Sequence, residues 1–131
     1  MPKKPKKRSY YINKLDKLCR EICLDAADNK CELCGKSDGV LHWHHYRGRR
    51  PHLLRWNFDN CIICCYQCHC GGFHSDDAEK QREYRKKFIA LRGEAIIENL
   101  AVIKNQYTGK SYSISDLKEL IEVFKKLKKT T

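Results

Sequence analysis

Four of the nine cysteines form two C-x2-C pairs, Cys31 with Cys34 and Cys65 with Cys68. Each pair can present two thiolates from one tight turn, and two such turns complete the tetrahedral sulfur shell of structural zinc. Because four thiolates leave no open coordination position, we expect this zinc to be structural. Free cysteines in this number also indicate metal binding in a reducing compartment in preference to disulfides.

A second C-x2-C pair overlaps this assignment, since Cys61 and Cys64 directly precede Cys65. The residues between them, Ile62 and Ile63, are apolar and β-branched, which favours a buried strand over a metal-binding turn. We therefore assign Cys65 and Cys68 to the zinc and expect most of the other cysteines to lie in the core. These are Cys19, Cys23, Cys61, Cys64 and Cys70, and Cys61, Cys64 or Cys70 is the alternative for one assigned ligand.

Five of the six histidines form a cluster in the sequence, with His42, His44 and His45 on one predicted strand and His69 and His74 just after the second cysteine pair. Zinc binding would bring His69 beside the strand that carries His44 and His45. Side chains alternate along a strand, so His42 and His44 point one way and His45 the other. One face can therefore hold a metal while a bulge or twist brings His45 to a scissile phosphate.

This histidine cluster has the groups that phosphodiester hydrolysis needs. The reaction requires an activated water, stabilisation of charge on the phosphorane, and help for the leaving oxygen. A neutral histidine is a suitable base near pH 7, and a divalent cation can supply the other two effects. The plainer alternatives are a second zinc site or a polar surface. We favour the catalytic interpretation because the two C-x2-C turns, the zinc knuckles, constrain the positions of the histidines.

The order of these residues resembles the HNH nuclease pattern, with Cys-x2-Cys, His-His, Asn60 and then Cys-x2-Cys-His. It is similar, more closely still, to the phage NinG/Rap recombination nucleases, whose "GHYR…P.LRFN..N" and "C..CN" runs resemble HHYRGRRPHLLRWNFDN and CYQCH here. The likeness covers nearly the whole chain after its basic start. The chain also resembles the phage junction resolvase endonuclease VII, which has a zinc knuckle beside its metal ligand.

The resemblance implies an α+β fold, with a ββα-metal (HNH) core and a structural zinc knuckle between N-terminal and C-terminal helices. It also implies roles for single residues. His45 matches the general base, and Asn60 matches the central asparagine, which braces the loop by hydrogen bonding and orients the base. His44 and His69 fall at positions of metal ligands.

Departures from the family pattern leave the catalytic metal ligands open. NinG relatives carry glycine at the position of His44 and an acid at the position of His42, so His42, His44 or both bind the metal. His74 is a further candidate, by analogy with HNH enzymes that end in a spaced histidine. A site of neutral histidines favours Mn²⁺, Zn²⁺ or Ni²⁺, and Mg²⁺ with several waters is the alternative.

Four arginines follow the histidine strand with no acid among them: Arg47, Arg49, Arg50 and Arg55. Guanidinium groups match phosphate geometry, and the position beside the proposed metal site favours phosphate contact over an ordinary solvated loop. No segment resembles a base-reading helix. We therefore expect recognition of nucleic-acid structure or backbone.

The net charge of the chain is +11, from 27 Lys and Arg against 16 Asp and Glu. Much of it lies at the two ends, in Lys3, Lys4, Lys6, Lys7 and Arg8, and in Lys125, Lys126, Lys128 and Lys129. Such ends can add sequence-independent, salt-sensitive affinity for nucleic acid. The length of 131 residues predicts one domain, with residues 1–8 a disordered basic arm and 9–131 a single HNH nuclease domain with zinc knuckles and helical flanks.

The elements that must position the site follow from periodicity. We predict a helix over about 10–29, a strand over 40–46, a second strand or an irregular segment over 56–64, and helices over 76–92, 94–103 and from about 115 onward. Ser75 and Ser115 are the predicted N-caps of the helices that follow them.

These features together predict a metal-dependent HNH endonuclease that cuts DNA, on branched or recombination intermediates of the Holliday-junction type, in phage recombination. The alternative is a non-catalytic zinc-knuckle protein that binds nucleic acid, and an RNA nuclease would differ only in its substrate. The chain has no signal peptide and no membrane-spanning run, so we expect it in the cytoplasm, the host's if it is phage-encoded. A homodimer is expected, because the first and last helices have apolar faces and paired nicks need two active sites.

Overall fold

An antiparallel pair of strands lies at the centre of the molecule, with His45 paired to Cys61 and Leu41 to Cys65. The structure is a computed structural model, and it describes residues 3–129. Its elements in chain order are α1 (Arg8–Ala26), β1 (Leu41–His45), α2 (His52–Arg55), a 3-10 turn (Phe58–Asn60), β2 (Cys61–Cys65), α3 (Tyr66–Cys68), a π-helical turn (His69–Phe73), α4 (Ala78–Arg92), α5 (Glu94–Asn105) and α6 (Ile114–Lys129). This arrangement is a helix-rich α+β fold with a small sheet.

The second strand begins later than predicted. Residues 56 and 57 connect α2 to the 3-10 turn of Phe58–Asn60, and β2 runs from Cys61 to Cys65. Every residue of β2 is buried. Helices cover both faces of the sheet, which explains why β2 is apolar throughout and does not alternate between apolar and polar residues.

One face of the sheet packs against α1 and α6. The apolar residues spaced three and four apart on these helices are buried together with residues of the strand loop and of β2. This first core cluster consists of Leu15, Cys19, Ile22, Trp56, Cys61, Leu117, Ile121 and Phe124. The apolar faces that suggested pairing between chains are therefore covered within one chain.

The other face of the sheet packs against the knuckles, the π-helical turn, α4 and α5. Its buried residues are Cys31, Leu54, Ile62, Cys64, Cys65, Cys68, Phe73, Phe88, Ile97 and Leu100. Because neighbouring residues of a strand point to opposite faces, Cys61 joins the first cluster while Ile62 joins the second. Both cores thus meet at the strands that carry the histidines.

Two predicted helix caps are wrong. The N-cap of α4 is Asp77, whose side chain accepts the backbone N–H two residues later, and Ser75 instead accepts the N–H of Asp77. At the start of α6, Ser113 and Asp116 cap each other's backbone N–H groups, at 3.1 and 3.0 Å. Ser115 therefore lies inside the helix that it was expected to cap.

The predicted first helix is shifted at both ends. It begins at Arg8, so the last residue of the predicted arm is helical, and it ends at Ala26. Asp28 and Asn29 follow with positive φ values of 60° and 54°, a conformation that cannot continue a right-handed helix. Residues 3–7 have no regular secondary structure, and the rest of the predicted arm, residues 1 and 2, lies outside the described residues. Within residues 3–129, no helix has both the length and the apolar character needed to cross a membrane.

Candidate functional site

The four cysteines assigned to zinc converge, as predicted. One ligand atom each from Cys31, Cys34, Cys65 and Cys68 lies within 4.8 Å of the others. The sulfurs of Cys34 and Cys65 are 3.7 Å apart. A tetrahedral site with Zn–S bonds of about 2.3 Å places its sulfurs about 3.8 Å apart, so this pair already has the spacing of a zinc tetrahedron. The donor set and its geometry fit a structural zinc.

The competing cysteines do not enter this set. Cys61 and Cys64 lie in β2, as the β-branched residues between them predicted. Burial raises the pKa of the Cys64 thiol to about 12, so it stays protonated within the core. The Cys70 sulfur lies 3.8 Å from Nδ1 of His69 and outside the four-sulfur group.

Hydrogen bonds also fix the first knuckle to the sheet. The backbone N–H of Glu32 donates to the carbonyl of Ile63 at 2.9 Å, and the Glu32 carboxylate accepts the Ile63 N–H at 2.7 Å. Arg92 of α4 donates to the same carboxylate at 3.1 Å and to the Cys61 carbonyl at 2.6 Å. One carboxylate and one guanidinium group therefore connect the knuckle, β2 and α4 to one another.

Three histidines form a second group with metal-ligand spacing. Ring nitrogens of His44, His69 and His74 lie within 4.8 Å of one another. His44 is on β1, and the π-helical turn brings the ring centroids of His69 and His74 to 5.1 Å each from that of His44 and 4.7 Å from each other. Phe73 stacks on the His44 ring with centroids 4.4 Å apart. The His42 ring is 4.8 Å from that of His69, but His42 is not in the three-histidine group.

Two rings of this group, those of His44 and His69, are neutral at physiological pH. Burial, followed by the neighbouring His69 and His74 rings, lowers the pKa of His44 to about 3. Burial, followed by the His74 and His42 rings, lowers the pKa of His69 to about 4. A neutral imidazole has a free nitrogen lone pair for a metal. Three imidazole donors that line one cavity fit a transition-metal dication better than Mg²⁺.

His45 shares a cavity with this histidine group. The cavity has a volume of about 310 Å³ and is lined by Trp43, His44, His45, Gly48, Arg49, His69 and His74. His45 Nε2 lies 2.8 Å from the carbonyl oxygen of Arg55. A carbonyl can only accept a hydrogen bond, so Nε2 carries the proton of the neutral ring and Nδ1 is left with a lone pair. Burial lowers the pKa of His45, which favours this neutral form.

Asn60 holds the loop between the strands. Its side chain is fully buried and makes three hydrogen bonds. Oδ1 accepts the backbone N–H of Arg47 at 2.8 Å, and Nδ2 donates to the carbonyls of Gly48 and Leu54, both at 3.0 Å. Since all three bonds go to the backbone of the loop after His45, the side chain has the geometry of a brace.

The comparisons with known proteins identify the family. A family model described as Bacteriophage Lambda NinG protein matches residues 2–131. The chain belongs to the NinG family. No curated protein and no solved structure gives a significant match. The family predicted from the HHYRGRRPHLLRWNFDN run is therefore confirmed, and the match covers both knuckles and the histidine cavity.

The arginines of this NinG-family chain separate into two groups. Arg49 lines the histidine cavity with its side chain 54% exposed and makes one longer contact with Asp16, at 3.4 Å. Arg50 follows it and is exposed. Arg47 lies over the Tyr46 ring at 5.3 Å. Arg55 does not belong with them. Its guanidinium donates to Asp16 at 2.8 and 2.6 Å and is only 18% exposed, so it is not available for the predicted phosphate contact.

Sequence reasoning missed Asp16 and the tight packing of the π-helical turn in this NinG-family chain. Asp16 also accepts the indole N–H of Trp56 at 2.9 Å. The only local signal was an acid beside Leu15 on the apolar side of α1, and its partners lie about forty positions away. In the turn, Gly72 packs so close to Tyr84 that an added Cβ would lie 2.6 Å from the ring.

Proposed function

We propose that this NinG-family chain is a metal-dependent endonuclease of the HNH type that hydrolyses DNA phosphodiester bonds. One observation carries the proposal. A neutral histidine with a defined unprotonated nitrogen, His45, lines the same cavity as the metal-ligating group of His44, His69 and His74. A hydrolase needs this combination of base and metal, whereas a binding module does not.

In the proposed reaction, His45 accepts a proton from the attacking water at Nδ1. The Arg55 carbonyl stabilises the resulting imidazolium through Nε2–H and keeps the ring from rotating. The Asp16 carboxylate accepts two hydrogen bonds from the Arg55 guanidinium and so fixes the position of Arg55. The base is thereby oriented through α2 and α1 as well as through its own strand.

His44, His69 and His74 would hold a divalent cation at the other side of the cavity. When bound, such a cation stabilises negative charge on the phosphoryl and leaving oxygens. Arg49 is the residue placed to contact a neighbouring phosphate, because it lines the cavity, its side chain is 54% exposed, and its contact with Asp16 is long, at 3.4 Å. Asn60 maintains the loop that carries Arg49.

The proposed substrate is branched or recombination DNA. It rests on membership of the NinG family, on the two basic ends and on the absence of a base-reading helix among the described residues. A homodimer remains part of the proposal only because a junction needs two cuts. The helix faces that suggested it are buried within the chain.

The test is a cleavage panel with the purified, zinc-loaded full chain. Plasmid, linear duplex, four-way junction and RNA substrates are each incubated with Mg²⁺, Mn²⁺, Zn²⁺ or Ni²⁺. We expect cutting of the junction with a transition metal. His45→Ala should lower the rate at least about a hundredfold, as expected for loss of a general base, with zinc content and DNA affinity retained. His52→Ala is the matched control, since His52 lies outside the cavity.

The outcomes separate the candidate functions. DNA binding without cleavage by any metal would favour the non-catalytic zinc-knuckle protein, and cleavage of RNA alone would change the substrate class. Normal cutting by His45→Ala would contradict the assignment of the base even if the protein is a nuclease.

A further inference from the structure

Three cysteines outside the four-sulfur set converge on the opposite side of the sheet. Cys19 and Cys23 lie one turn apart on α1, and Cys61 begins β2. One ligand atom from each lies within 4.8 Å of the others. Cys19 and Cys61 are buried and Cys23 is half-buried, so the group opens to the surface only at one sulfur.

A buried hydrogen-bond donor without a partner in the described part of the chain lies beside this trio. The indole Nε1–H of Trp43 is buried and has no hydrogen-bond partner among residues 3–129. The Trp43 side chain packs against the first core cluster, which contains Cys19 and Cys61 and against which Cys23 also packs, so the sulfurs are its neighbouring acceptors. A buried Trp N–H normally has a partner, and metal-bound thiolates commonly accept such bonds. If the three thiols were neutral core residues, this N–H would have only weak hydrogen-bond acceptors beside it.

The trio is also accessible from the surface. A cavity of about 240 Å³ reaches Cys23 and Cys61 from the surface, and Arg92 lines it. The Arg92 guanidinium binds the Cys61 carbonyl at 2.6 Å and the Glu32 carboxylate at 3.1 Å, and both side chains line this cavity. The cavity provides an entry path and room for a fourth ligand such as water.

We propose that Cys19, Cys23 and Cys61 form a second metal site for a thiophilic d10 cation, Zn²⁺ or Cu⁺. Soft thiolate ligands select this class of ion, and three thiolates are a sufficient protein shell for it. The site would connect α1 to Cys61, the β2 residue that pairs with His45, and would stabilise the end of the sheet that carries His45. It is independent of the proposed nuclease activity.

The first test uses the wild-type chain, prepared anaerobically and reloaded with ¹¹³Cd²⁺. Cadmium NMR reports the number of thiolate ligands through strong deshielding. We expect two separate thiolate-shifted signals, one from the four-cysteine site and one from the trio. A single such signal would overturn the proposal, as would an intact mass two hydrogens below that of the reduced chain, which indicates a disulfide.

The second test measures metal content after loading with Zn²⁺ or Cu⁺ in separate arms. Cys23→Ser should lose one equivalent of metal per chain and the weaker thiolate-shifted cadmium signal, while it keeps the signal of the four-cysteine site. Cys70→Ser is the control and should keep both signals. An unchanged metal content in Cys23→Ser contradicts the second site. The arm in which the wild type holds one equivalent more than Cys23→Ser identifies the ion as Zn²⁺ or Cu⁺.

Discussion

Arg55 donates two hydrogen bonds to the carboxylate of Asp16, Nε to Oδ1 at 2.8 Å and Nη2 to Oδ2 at 2.6 Å. The backbone carbonyl of the same arginine accepts the Nε2 proton of His45. One residue therefore connects α1 to the proposed base. Both members of the ion pair are only 18% exposed, which makes the pair partly desolvated and geometrically defined.

Asp16→Ala should destabilise the protein by about 2–4 kcal/mol, because it leaves a partly buried guanidinium and the Trp56 indole N–H without their acceptor. Urea unfolding of the zinc-loaded protein measures this change. Asp25→Ala, an exposed acid on the same helix, removes the same charge and should cost less than about 0.5 kcal/mol. Equal effects of the two substitutions would show that the Asp16 pair contributes little.

Asn60→Ala should cost about 2–4 kcal/mol, since it leaves one buried N–H and two carbonyls of the strand loop unpaired. Asn60→Asp should be at least as damaging, because a carboxylate would face the two carbonyls. Asn57→Ala removes a single exposed hydrogen bond and should cost about 1 kcal/mol. Denaturant unfolding gives all three values, and a loss for Asn60→Ala no greater than for Asn57→Ala contradicts the role as a brace.

Gly72→Ala should disturb the turn that carries His69 and His74. Its Cβ would lie 2.6 Å from the Tyr84 ring, and relief of that overlap should cost about 1–3 kcal/mol. The displacement should also weaken metal binding by the three-histidine group, measured by calorimetric titration after zinc loading. Gly71→Ala is a close control, because a Cβ there meets nothing within 4 Å. Normal metal affinity in Gly72→Ala would mean that the turn can relax without moving the histidines.

Arg49→Ala should lower the slope of log K for DNA against log salt by about one unit, as expected for loss of one phosphate contact. Arg55→Ala should lower stability and leave this slope unchanged, since its guanidinium is bound to Asp16. Lys104→Ala removes an exposed charge of α5 and controls for net charge. Fluorescence anisotropy over a salt series measures the slope, and an unchanged value for Arg49→Ala would exclude it from the interface.

The sequence by itself determined the features that depend on local spacing. Two C-x2-C turns identify the four cysteines that could hold a zinc, because each turn fixes two sulfurs within a few residues. Ile62 and Ile63 identify the second strand for a similarly local reason, and helical periodicity locates α1 and α6 to within a few residues. The family also follows from a contiguous run, so no contact between distant segments was needed.

The tertiary structure decided what depends on distant segments. It selected His74 over His42 for the three-histidine group, because the π-helical turn reverses the chain toward His44. It removed Arg55 from the candidate phosphate contacts, since the pairing acid comes from α1. It also assigned the proton of His45 to Nε2 through a carbonyl ten positions away. The side-chain types limit which partners are chemically suitable, and only the packing of α1, the strands and the turn determines which of them meet.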